Sequence, residues 1–371
     1  TKVVDYQEHP AMQSSGPIIA NGKVISGRNC MPVGGPVACV ITAHDAMTGV
    51  ELWRRSTIPG PGEPGDESWG GVPFEDRKHV GTWMVPSYDP ELNLIYWGVG
   101  NPNPDYYGDL RPGDNLYSNS IVALDADSGE LRWHYQFTPH DLNDWDSNQI
   151  PVLADIEWQG SPRRVVMLAN RNGFFYVMDR VNGELLLATP FTATTWAREI
   201  GADGRPIVLN DGSKGCLPDP WGSTNFMPPS YYPELGLFYL TARETCATYV
   251  AEEPTFVPGQ SSFGGVVFID GDQGSGALRA LDVQTGDLRW EFPYPSPTFG
   301  GVLTTAASLV FAGDHEGNFM AFDAVSGENL WHYQTGSRIW GAAAMTHMLD
   351  GRQYVLIASG TTLTAFALPA Q

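Results

Sequence analysis

Basic residues are scarce in this chain, which has 21 Lys and Arg against 42 Asp and Glu among 371 residues. The formal net charge of −21 at pH 7 repels the phosphates of nucleic acids and anionic lipid surfaces. The composition therefore predicts that the protein has no nucleic-acid partner. The same charge attracts basic proteins, although keeping the protein in solution is an alternative role for it.

Long apolar segments are absent as well. No run of about 18 apolar residues occurs, as a membrane-spanning helix would require, and the segment that begins at Thr1 has no signal-peptide pattern. We therefore expect a processed, soluble chain that does not span a membrane.

Cysteine is rare, and its four positions are Cys30, Cys39, Cys216 and Cys246. None of them forms a C-x-x-C pair or a zinc-finger spacing, and the absence of C-x-x-C-H excludes a covalently attached haem. The simplest pairing is Cys30 with Cys39 and Cys216 with Cys246. Two disulfides predict an oxidising compartment, periplasmic or extracellular, whereas four buried free thiols in a cytosolic protein are the alternative.

Helical periodicity is also missing, because no stretch has a convincing apolar period of 3.6 residues. The 42 Gly and 29 Pro are typical of a chain with many turns and short strands, so we predict an all-β fold.

No G-x-S-x-G motif occurs and the eight His residues are scattered, which leaves little support for a Ser-His-Asp hydrolase.

Five segments share one pattern, in which an apolar strand ends in Asp, a turn ends in Gly four residues later, and a second strand follows. They are AHDAMTGVELW, ALDADSGELRW, VMDRVNGELLL, ALDVQTGDLRW and AFDAVSGENLW, with Asp at 45, 125, 179, 282 and 323. Asp opens such a turn by accepting backbone N–H groups, and Gly adopts the positive φ, so each unit predicts a β-hairpin.

A Trp closes four of the five repeats, at positions 53, 133, 290 and 331, whereas Leu187 stands in the third. One large ring at a repeated offset fills a repeated gap between radial sheets, so we expect a weaker contact at Leu187. The repeats are separated by insertions, where functional residues concentrate. No boundary is evident, and we predict a single domain over residues 1–371.

The repeat A-x-D-x-x-(T/S)-G-x-x-x-W resembles the blade signature of alcohol and methanol dehydrogenases that depend on pyrroloquinoline quinone (PQQ). Those enzymes fold as eight-bladed β-propellers, and the similarity runs from about Gly16 to the C-terminus. The resemblance implies that this chain covers roughly five to six blades and lacks the first two or three. It is then either a fragment of a larger ring or a smaller closed ring.

Two inserted stretches resemble the segments that carry the chemistry of this family. In VGTWMVPSYDPELNLIYWGVGNPNP, the resemblance implies that Trp83 forms the floor under PQQ and that Asn101 binds the metal. In RPGDNLYSNSIVALDADSGELRWHYQFTPHDLNDWDSNQIP, it implies that Asp146 is the catalytic base and a metal ligand. Asp141, Asp144 and Asp146 lie close together, so mutual repulsion can raise one pKa to a value useful in catalysis.

Four further contacts with the cofactor are implied by the resemblance. Arg171, in VVMLANRNGFFYVMDRVNG, reaches the quinone oxygens, and Asn225 contacts the cofactor within the Cys216–Cys246 segment. Ser14, in MQSSGPIIANGKVISG, binds a PQQ carboxylate. Phe299, in SPTFGGVLTT, replaces a Trp that faces the cofactor in many relatives.

Three departures from the family pattern concern the metal and the cofactor. The family's metal-binding Glu has no counterpart, because residues 30–37 contain no acid, so Asn101 and Asp146 remain as the protein ligands of a weaker Ca²⁺ site. Asn148 stands two residues beyond Asp146, where the lanthanide-using branch has a second Asp, which favours Ca²⁺. The adjacent cysteines that cover PQQ in the family are also absent.

The resemblance implies oxidation of a small-molecule or polymeric alcohol to an aldehyde or ketone. Asp146 takes the hydroxyl proton, hydride passes to the quinone, and the electrons leave through a separate carrier such as a soluble cytochrome c. The insertion loops over residues 56–79 and 191–216 are expected to line the substrate pocket. The alternative is a non-catalytic propeller that serves as a scaffold for other proteins.

Overall fold

The computed structural model of this chain describes residues 3–14, 16–209, 217–255, 257, 260–269, 274–341 and 343–368. Over these residues strands predominate, which confirms the predicted all-β class. The helical segments among them are short 3₁₀ turns at Pro32–Gly34, Pro36–Ala38, Asp66–Trp69, Phe74–Asp76 and Gly108–Leu110. No helix in the described part of the chain is long and apolar enough to cross a bilayer.

Antiparallel sheets follow one another along the described chain, five with four strands and a last one with three. Sheet 1 contains Ile18–Ala20, Lys23–Ser26, Val40–Asp45 and Glu51–Ser56. Sheet 2 contains Ser87–Asp89, Leu94–Gly98, Ser120–Asp125 and Leu131–Gln136. Sheet 3 contains Val152–Trp158, Ser161–Ala169, Phe174–Asp179 and Leu185–Pro190.

The second half of the chain continues the series. Sheet 4 contains Ser230–Tyr232, Leu237–Glu244, Ser275–Asp282 and Leu288–Tyr294. Sheet 5 contains Val302–Thr305, Leu309–Gly313, Asn318–Asp323 and Asn329–Gln334, and sheet 6 contains Met345–Leu349, Arg352–Ser359 and Thr362–Phe366. Smaller sheets pair Ala11–Met12 with Asn29–Cys30, Ala197–Ile200 with Pro206–Val208, and Cys246–Ala251 with both Leu217–Pro218 and Gly265–Ile269.

Each pair of successive sheets encloses its own apolar cluster. Along the strand Phe174–Asp179, Phe174 and Tyr176 pack towards sheet 2 while Phe175 and Val177 pack towards sheet 4. Alternate side chains of a strand point to opposite faces, so a sheet between two neighbours must be apolar on both. The sheets therefore stack face to face in chain order, as in a β-propeller.

The repeated turns have the predicted geometry. Asp45 Oδ1 accepts the backbone N–H groups of Met47 and Thr48 at 3.1 and 2.7 Å. Gly49, with φ 73°, donates its N–H to Asp45 O. The same Asx-type bonds recur at Asp125, Asp282 and Asp323. The five hairpins predicted from the repeat are confirmed.

The repeated Trp residues join neighbouring sheets, as predicted. The indole Nε1 of Trp53 donates to Ala126 O, that of Trp133 to Arg180 O, and that of Trp290 to Ala324 O, at 3.0–3.2 Å. Each ring also packs against the turn Gly of the next repeat. A Cβ at Gly183 would lie 2.7 Å from the ring of Trp133, so the turn requires Gly for space as well as for φ.

The third repeat differs on both strands of its hairpin. Each repeated Trp lies opposite an Ala on the paired strand, namely Ala43, Ala123, Ala280 or Ala321. Leu187 instead lies opposite Val177, and Gly286 in the next repeat packs against Thr189. A large ring beside a small residue has thus been replaced by two side chains of intermediate size.

The Cys30–Cys39 disulfide is present, as predicted. Cys246 is also disulfide-bonded, while Cys216, its predicted partner, lies outside the described residues. The disulfide at Cys30 closes the loop that leads into the strand Val40–Asp45 of sheet 1.

Candidate active site

The loops at one end of the sheets bring the predicted site residues together. In an antiparallel four-stranded sheet, the chain enters the first strand and leaves the second at the same end. Trp83, Asp146 and Asn225 each precede the first strand of a sheet, whereas Asn101 and Arg171 follow a second strand. Sheets 2, 3 and 4 therefore direct all five side chains to one rim of the fold.

Asp146 is the centre of the cluster, with a side chain that is 12% exposed. Its Oδ1 accepts the backbone N–H of Asn101 at 2.8 Å, and its Oδ2 accepts the indole N–H of Trp83 at 2.9 Å. Arg171 Nη2 lies 3.2 Å from the same Oδ2. A Cβ at Gly100 would lie 2.3 Å from Oδ1, so the carboxylate can occupy this position only because residue 100 has no side chain.

Arg171 connects the cluster to three loops. Its Nη1 donates to the backbone oxygens of Asp144 and Pro220 at 2.8 and 3.0 Å. Its Nη2 donates to Asn225 Oδ1 at 3.2 Å, and its guanidinium carbon lies 5.5 Å from the centre of the Trp83 ring. A cation within about 6 Å of an indole face is attracted to it. The positive charge is therefore held close to the aromatic surface of Trp83.

Ser14 also lies at this cluster, although it contacts backbone. Its hydroxyl donates to Trp83 O at 2.8 Å, which links the first described segment to the loop that carries the indole. Trp83 itself is only half-buried, so part of its ring surface is open.

The acidic loop around Asp146 has the perturbed titration that the sequence predicted. The partial burial of Asp144, together with the negative charges of Asp105 and Asp146, raises the pKa of Asp144 well above its usual value. Its Oδ1 lies 3.6 Å from Arg171 Nη1. Burial likewise raises the pKa of Asp141 to about 6, although the backbone N–H that Trp145 donates to its carboxylate acts to lower it.

Asp105 was not identified from the sequence. It is 1% exposed, accepts a bond from Asn103 Nδ2 at 2.8 Å, and lies 3.8 Å from His79 Nδ1. Although burial opposes a charged imidazole, Asp105 and the charge of Asp146 raise the pKa of His79. Asp105 follows Asn101 by four residues in the same insertion. This proximity was the only feature of the sequence that could have identified Asp105 as part of the site.

Phe299 lies in an aromatic group next to the Arg171–Asn225 pair. Its ring stacks on Phe226 at 5.7 Å and lies 4.3 Å from Trp340, while Trp221 meets it edge-on at 5.6 Å. Asn225 Nδ2 donates to Trp221 O at 2.8 Å, which connects this group to the cluster. Trp221 and Trp340 are 44% and 40% exposed. They stand outside the repeat pattern, so the sequence did not predict that they pack around Phe299 beside the cluster.

The donor atoms of the cluster fit a hard cation. Asn101 Oδ1 is buried and has no hydrogen-bond donor among the described residues, and the Asp146 and Asp144 carboxylates lie in the same network. Amide and carboxylate oxygens are the ligands that Ca²⁺ and similar cations accept. The described residues contain no group of three or more His, Cys, Asp or Glu suited to a metal, in keeping with the acid-free loop over residues 30–37.

A bound quinone also has suitable partners here. PQQ is a flat, aromatic carboxylate, and the cluster offers the open indole of Trp83, the exposed ring of Trp340 and the cation of Arg171. The Phe299 ring is 6% exposed and already packs against Phe226, Arg243 and Trp340. Aromatic faces bind flat rings by stacking, and a guanidinium pairs with oxyanions. The residues present are thus chemically matched to the cofactor that the resemblance implies.

Two family models match the sequence. The model described as glucose/ethanol/alcohol dehydrogenase, beta-propeller domain, matches residues 1–194, and one described as outer membrane protein assembly factor BamB matches residues 249–368. The quinoprotein alcohol dehydrogenase PedH of Pseudomonas putida is 37% identical over 97% of this chain and 64% of its own length.

Two solved structures have similar backbones. The quinohemoprotein alcohol dehydrogenase ADHIIG of Pseudomonas putida HK5 superposes with a TM-score of 0.88 at 35% identity, over 96% of this chain and 57% of that one. A europium-containing methanol dehydrogenase gives a TM-score of 0.88 at 29% identity, over 95% and 66%. The predicted β-propeller of the quinoprotein type is confirmed, whereas the number of blades stays a prediction.

The chain spans between about half and two thirds of the length of these relatives. The first family model covers more than half of the chain, and the two structural superpositions extend over nearly all of it. The chain therefore belongs to the PQQ-dependent glucose/ethanol/alcohol dehydrogenase family of β-propeller proteins.

Proposed function

We propose that this chain oxidises an alcohol to an aldehyde or ketone with PQQ as its cofactor. The observation that carries the proposal is the single hydrogen-bonded network that joins Trp83, Asn101, Asp146, Arg171 and Asn225. A propeller that only binds other proteins has no need to gather these side chains from the loops of three sheets. PQQ supplies the hydride acceptor of this reaction, and the metal supplies a Lewis acid.

The base that takes the hydroxyl proton is a carboxylate of the pair Asp144 and Asp146. Asp146 was predicted, and its position between Trp83 and Arg171 supports that role. Both carboxylate oxygens of Asp146 already accept hydrogen bonds, however. Asp144 is more exposed and has a raised pKa. A base whose pKa lies closer to the working pH accepts a proton more effectively, so Asp144 is the second candidate.

Arg171 stabilises negative charge beside the aromatic surface. Its guanidinium is held by Asn225 Oδ1 and by the backbone oxygens of Asp144 and Pro220, so it needs little reorganisation when charge develops nearby. Trp83 would bind the flat cofactor directly, and the hydroxyl of Ser14 would orient it through its bond to the Trp83 backbone. Phe299 would contribute to cofactor binding through the exposed Trp340 ring, which lies 4.3 Å from its own.

We propose Ca²⁺ as the metal, held by Asn101 and Asp146. The orphaned Asn101 Oδ1 supports this assignment. A lanthanide is the second candidate. In the lanthanide-using branch of the family, a second Asp stands two residues beyond the catalytic base, and Asp146 would occupy that position if Asp144 were the base. Two carboxylates suit a cation of higher charge.

Other parts of the proposal concern the surroundings of the enzyme. The electrons pass to a separate carrier such as a soluble cytochrome c, and the net charge of −21 favours collision with a basic one. The disulfide Cys30–Cys39 supports a periplasmic or extracellular location. A single domain over residues 1–371 remains part of this proposal.

A protein-binding scaffold is the alternative function. It is favoured by the match of residues 249–368 to the model described as outer membrane protein assembly factor BamB. Those residues include Phe299 but none of Ser14, Trp83, Asn101, Asp146, Arg171 or Asn225. The part of the chain that carries most of the site is thus the part matched by the dehydrogenase model.

The test is reconstitution of the protein with PQQ and either Ca²⁺ or La³⁺, followed by its absorption spectrum, its metal content and dye reduction with a panel of alcohols. We expect stoichiometric PQQ and alcohol-dependent dye reduction. Asp146→Asn should retain PQQ and lose turnover by about 10² to 10⁴-fold, the range for removal of a general base.

Asp144→Asn is the matched control for that variant. If Asp146→Asn stays active while Asp144→Asn is inactive, the base is Asp144 and Asp146 is left as a metal ligand. A protein that takes up no PQQ with either metal would overturn the dehydrogenase proposal and leave the scaffold as the leading function.

A further inference from the structure

A buried ion pair lies next to the reactive cluster without belonging to it. Arg243 and Asp219 are 4% and 1% exposed. Arg243 Nη1 and Nη2 lie 3.2 and 3.3 Å from Asp219 Oδ1 and Oδ2. The two charges compensate each other, and both side chains are too deeply buried to contact a ligand. An effect of this pair on the site must therefore be transmitted by other residues.

The ion pair holds a turn over residues 219–222, here called the cradle turn. The turn is closed by the N–H of Gly222, which donates to Asp219 O at 2.8 Å and to Asp219 Oδ1 at 3.0 Å. Arg243 Nη1 donates to Gly222 O at 2.8 Å, so one guanidinium binds both ends of the turn. The backbone N–H of Arg243 also donates to Ser223 O at 2.8 Å, which joins the turn to the strand Leu237–Glu244.

The cradle turn packs around the side chain of Arg171. Its Pro220 O accepts a hydrogen bond from Arg171 Nη1 at 3.0 Å. A Cβ at Gly222, where φ is 76°, would lie 2.4–2.7 Å from the Cα, Cβ and Cγ atoms of Arg171. The N–H of Ser223 donates to Arg171 O at 2.9 Å. The position of the Arg171 guanidinium therefore depends on the position of this turn.

The guanidinium of Arg243 also supports the aromatic side of the site. Its Cζ lies 4.4 Å from the centre of the Phe299 ring, within the distance at which a cation is attracted to an aromatic face. The Phe299 ring in turn lies 4.3 Å from the exposed ring of Trp340. Arg243 thus joins the two parts of the proposed cofactor site, Arg171 through the cradle turn and the aromatic group by direct contact.

We propose that Arg243 is a positioning residue for Arg171, which it holds through the cradle turn at the place where the cofactor oxygens bind. The inference rests on the proposed function and extends it to a residue that touches neither cofactor nor substrate. A guanidinium that is fixed before the cofactor arrives loses little freedom on binding, and it needs little reorganisation when negative charge develops beside it. Displacement of the turn removes this advantage even when Arg171 itself is unchanged.

Arg243→Lys is the substitution that tests this role. It keeps a positive charge beside Asp219, so no unpaired charge is left in the interior. An ammonium is a point charge, however, and cannot bind both ends of the turn as a planar guanidinium does. Arg279→Lys is the matched control. Arg279 lies in the same sheet, its side chain is 13% exposed, and it pairs with Glu244 and Glu291, which are not part of the cradle turn.

PQQ binding is measured first, by quenching of tryptophan fluorescence in the presence of Ca²⁺ and without alcohol. Arg243→Lys should weaken binding about tenfold, equivalent to about 1.4 kcal/mol, whereas Arg279→Lys should leave the affinity unchanged. In a protein that already carries Arg171→Gln, Arg243→Lys should have no further effect, because the residue that it positions is gone. Equal weakening in both backgrounds would show that Arg243 does not act through Arg171, and would overturn the inference.

Turnover at saturating PQQ gives a second measure. Arg243→Lys should lower kcat about tenfold and leave the KM of the alcohol unchanged, because a displacement of about 1 Å in a positioned group slows the chemical step. A purely structural role would lower the midpoint of thermal unfolding and leave kcat of the folded protein as in the wild type. That result would also overturn the inference.

A measurement without cofactor separates this inference from the proposed function. In the unloaded protein, the Nε–H NMR signal of Arg171, assigned by its absence in Arg171→Gln, should shift in Arg243→Lys and stay in place in Arg279→Lys. If the signal shifts but the wild type takes up no PQQ, the link between Arg243 and Arg171 stands and the proposed function is overturned. If the signal stays in place in both variants while the wild type takes up PQQ and oxidises alcohols, the link is wrong and the dehydrogenase proposal stands.

Discussion

The junctions between sheets and the loop cluster at the rim are built in opposite ways. At the junctions, one device recurs: a Trp opposite an Ala donates to a backbone oxygen and packs on a turn Gly in the next repeat. At the rim, Asp146 is held by three donors, from Asn101, Trp83 and Arg171, and no other described site repeats this arrangement.

This difference separates stability from chemistry. The junction contacts are mostly apolar and exclude water, so each contributes to the free energy of unfolding in proportion to the surface that it buries. The rim cluster brings Asp105, Asp141, Asp144 and Asp146 close to Arg171 and Arg111. Burial raises the pKa of Asp141 and of Asp144, and the negative charges of Asp105 and Asp146 raise that of Asp144 further, so the rim opposes ionisation of these two acids. A change at a junction should affect folding, whereas a change at the rim should affect activity and, where the acid is fully buried, the pH dependence of folding.

The largest effect is expected from Trp133→Ala, which breaks a junction. The ring is 8% exposed, packs on the Gly183 turn and donates to Arg180 O, so its loss should lower the free energy of unfolding by about 3–5 kcal/mol. Denaturant titration followed by far-UV circular dichroism measures this loss. PQQ uptake by the folded fraction should be unchanged.

Trp331→Ala is the matched control, because Trp331 closes the fifth repeat and is 38% exposed. It should cost clearly less than Trp133→Ala. Equal losses for the two variants would mean that the ring stabilises its own hairpin rather than the contact between sheets.

A pH-dependent effect of up to about 3 kcal/mol is expected from Asp141, which lies at the rim but is 1% exposed. Its pKa is about 6 in the folded protein, above the usual 3.8, so the folded state binds this proton more tightly than the unfolded state. The contribution of Asp141 to the stability of the wild type should therefore fall as pH rises from about 4 to about 6.

The Asp141→Asn variant should lack that slope, because an amide does not titrate. Subtracting the two stability curves between pH 3.5 and 7 removes the contributions of the other acids. Parallel curves across this range would show that the carboxyl of Asp141 titrates normally and that the rim imposes no cost on its ionisation.

The junctions were predictable from the sequence, because the same sequence pattern occurs five times and each copy predicts the same geometry. The Asp–Gly turns, the hairpins and the Trp contacts follow from one pattern. At the third repeat, the sequence showed the change from Trp to Leu187 but not the accompanying change from Ala to Val177. The Ala opposite each Trp became evident only when the strand register was known.

The rim was predictable only through the family resemblance. It identified Trp83, Asn101, Asp146, Arg171 and Asn225, which do come together, but it gave no distances and did not single out Asp105 or Trp340. These residues come from separate insertions without a repeat, so no local pattern relates them. Of the loops expected to line a substrate pocket, residues 72–78 do line a cavity, and residues 210–216 lie outside the described part of the chain.

A loss of about a hundredfold in kcat/KM, equivalent to about 2.7 kcal/mol, is expected from Gly100→Ala. The new methyl group would lie 2.3 Å from Asp146 Oδ1, so the carboxylate must move by about 1 Å, which is enough to disrupt a positioned catalytic group. Stability should change little. Gly60→Ala is the control, because its methyl group would make only an ordinary contact of 3.5 Å with Glu63. Full activity in Gly100→Ala would contradict the assigned position of Asp146.

The smallest effect concerns the one junction that departs from the pattern. Leu187→Trp alone should destabilise the protein by about 1–3 kcal/mol, because the ring would crowd Val177 on the paired strand. Adding Val177→Ala restores the Trp–Ala pair of the other repeats, so the double variant should be more stable than the sum of the single changes by about 1 kcal/mol. Thermal unfolding of the four proteins measures this coupling. Strict additivity would mean that Thr189, which already packs against Gly286, fills this junction and leaves no place for the ring.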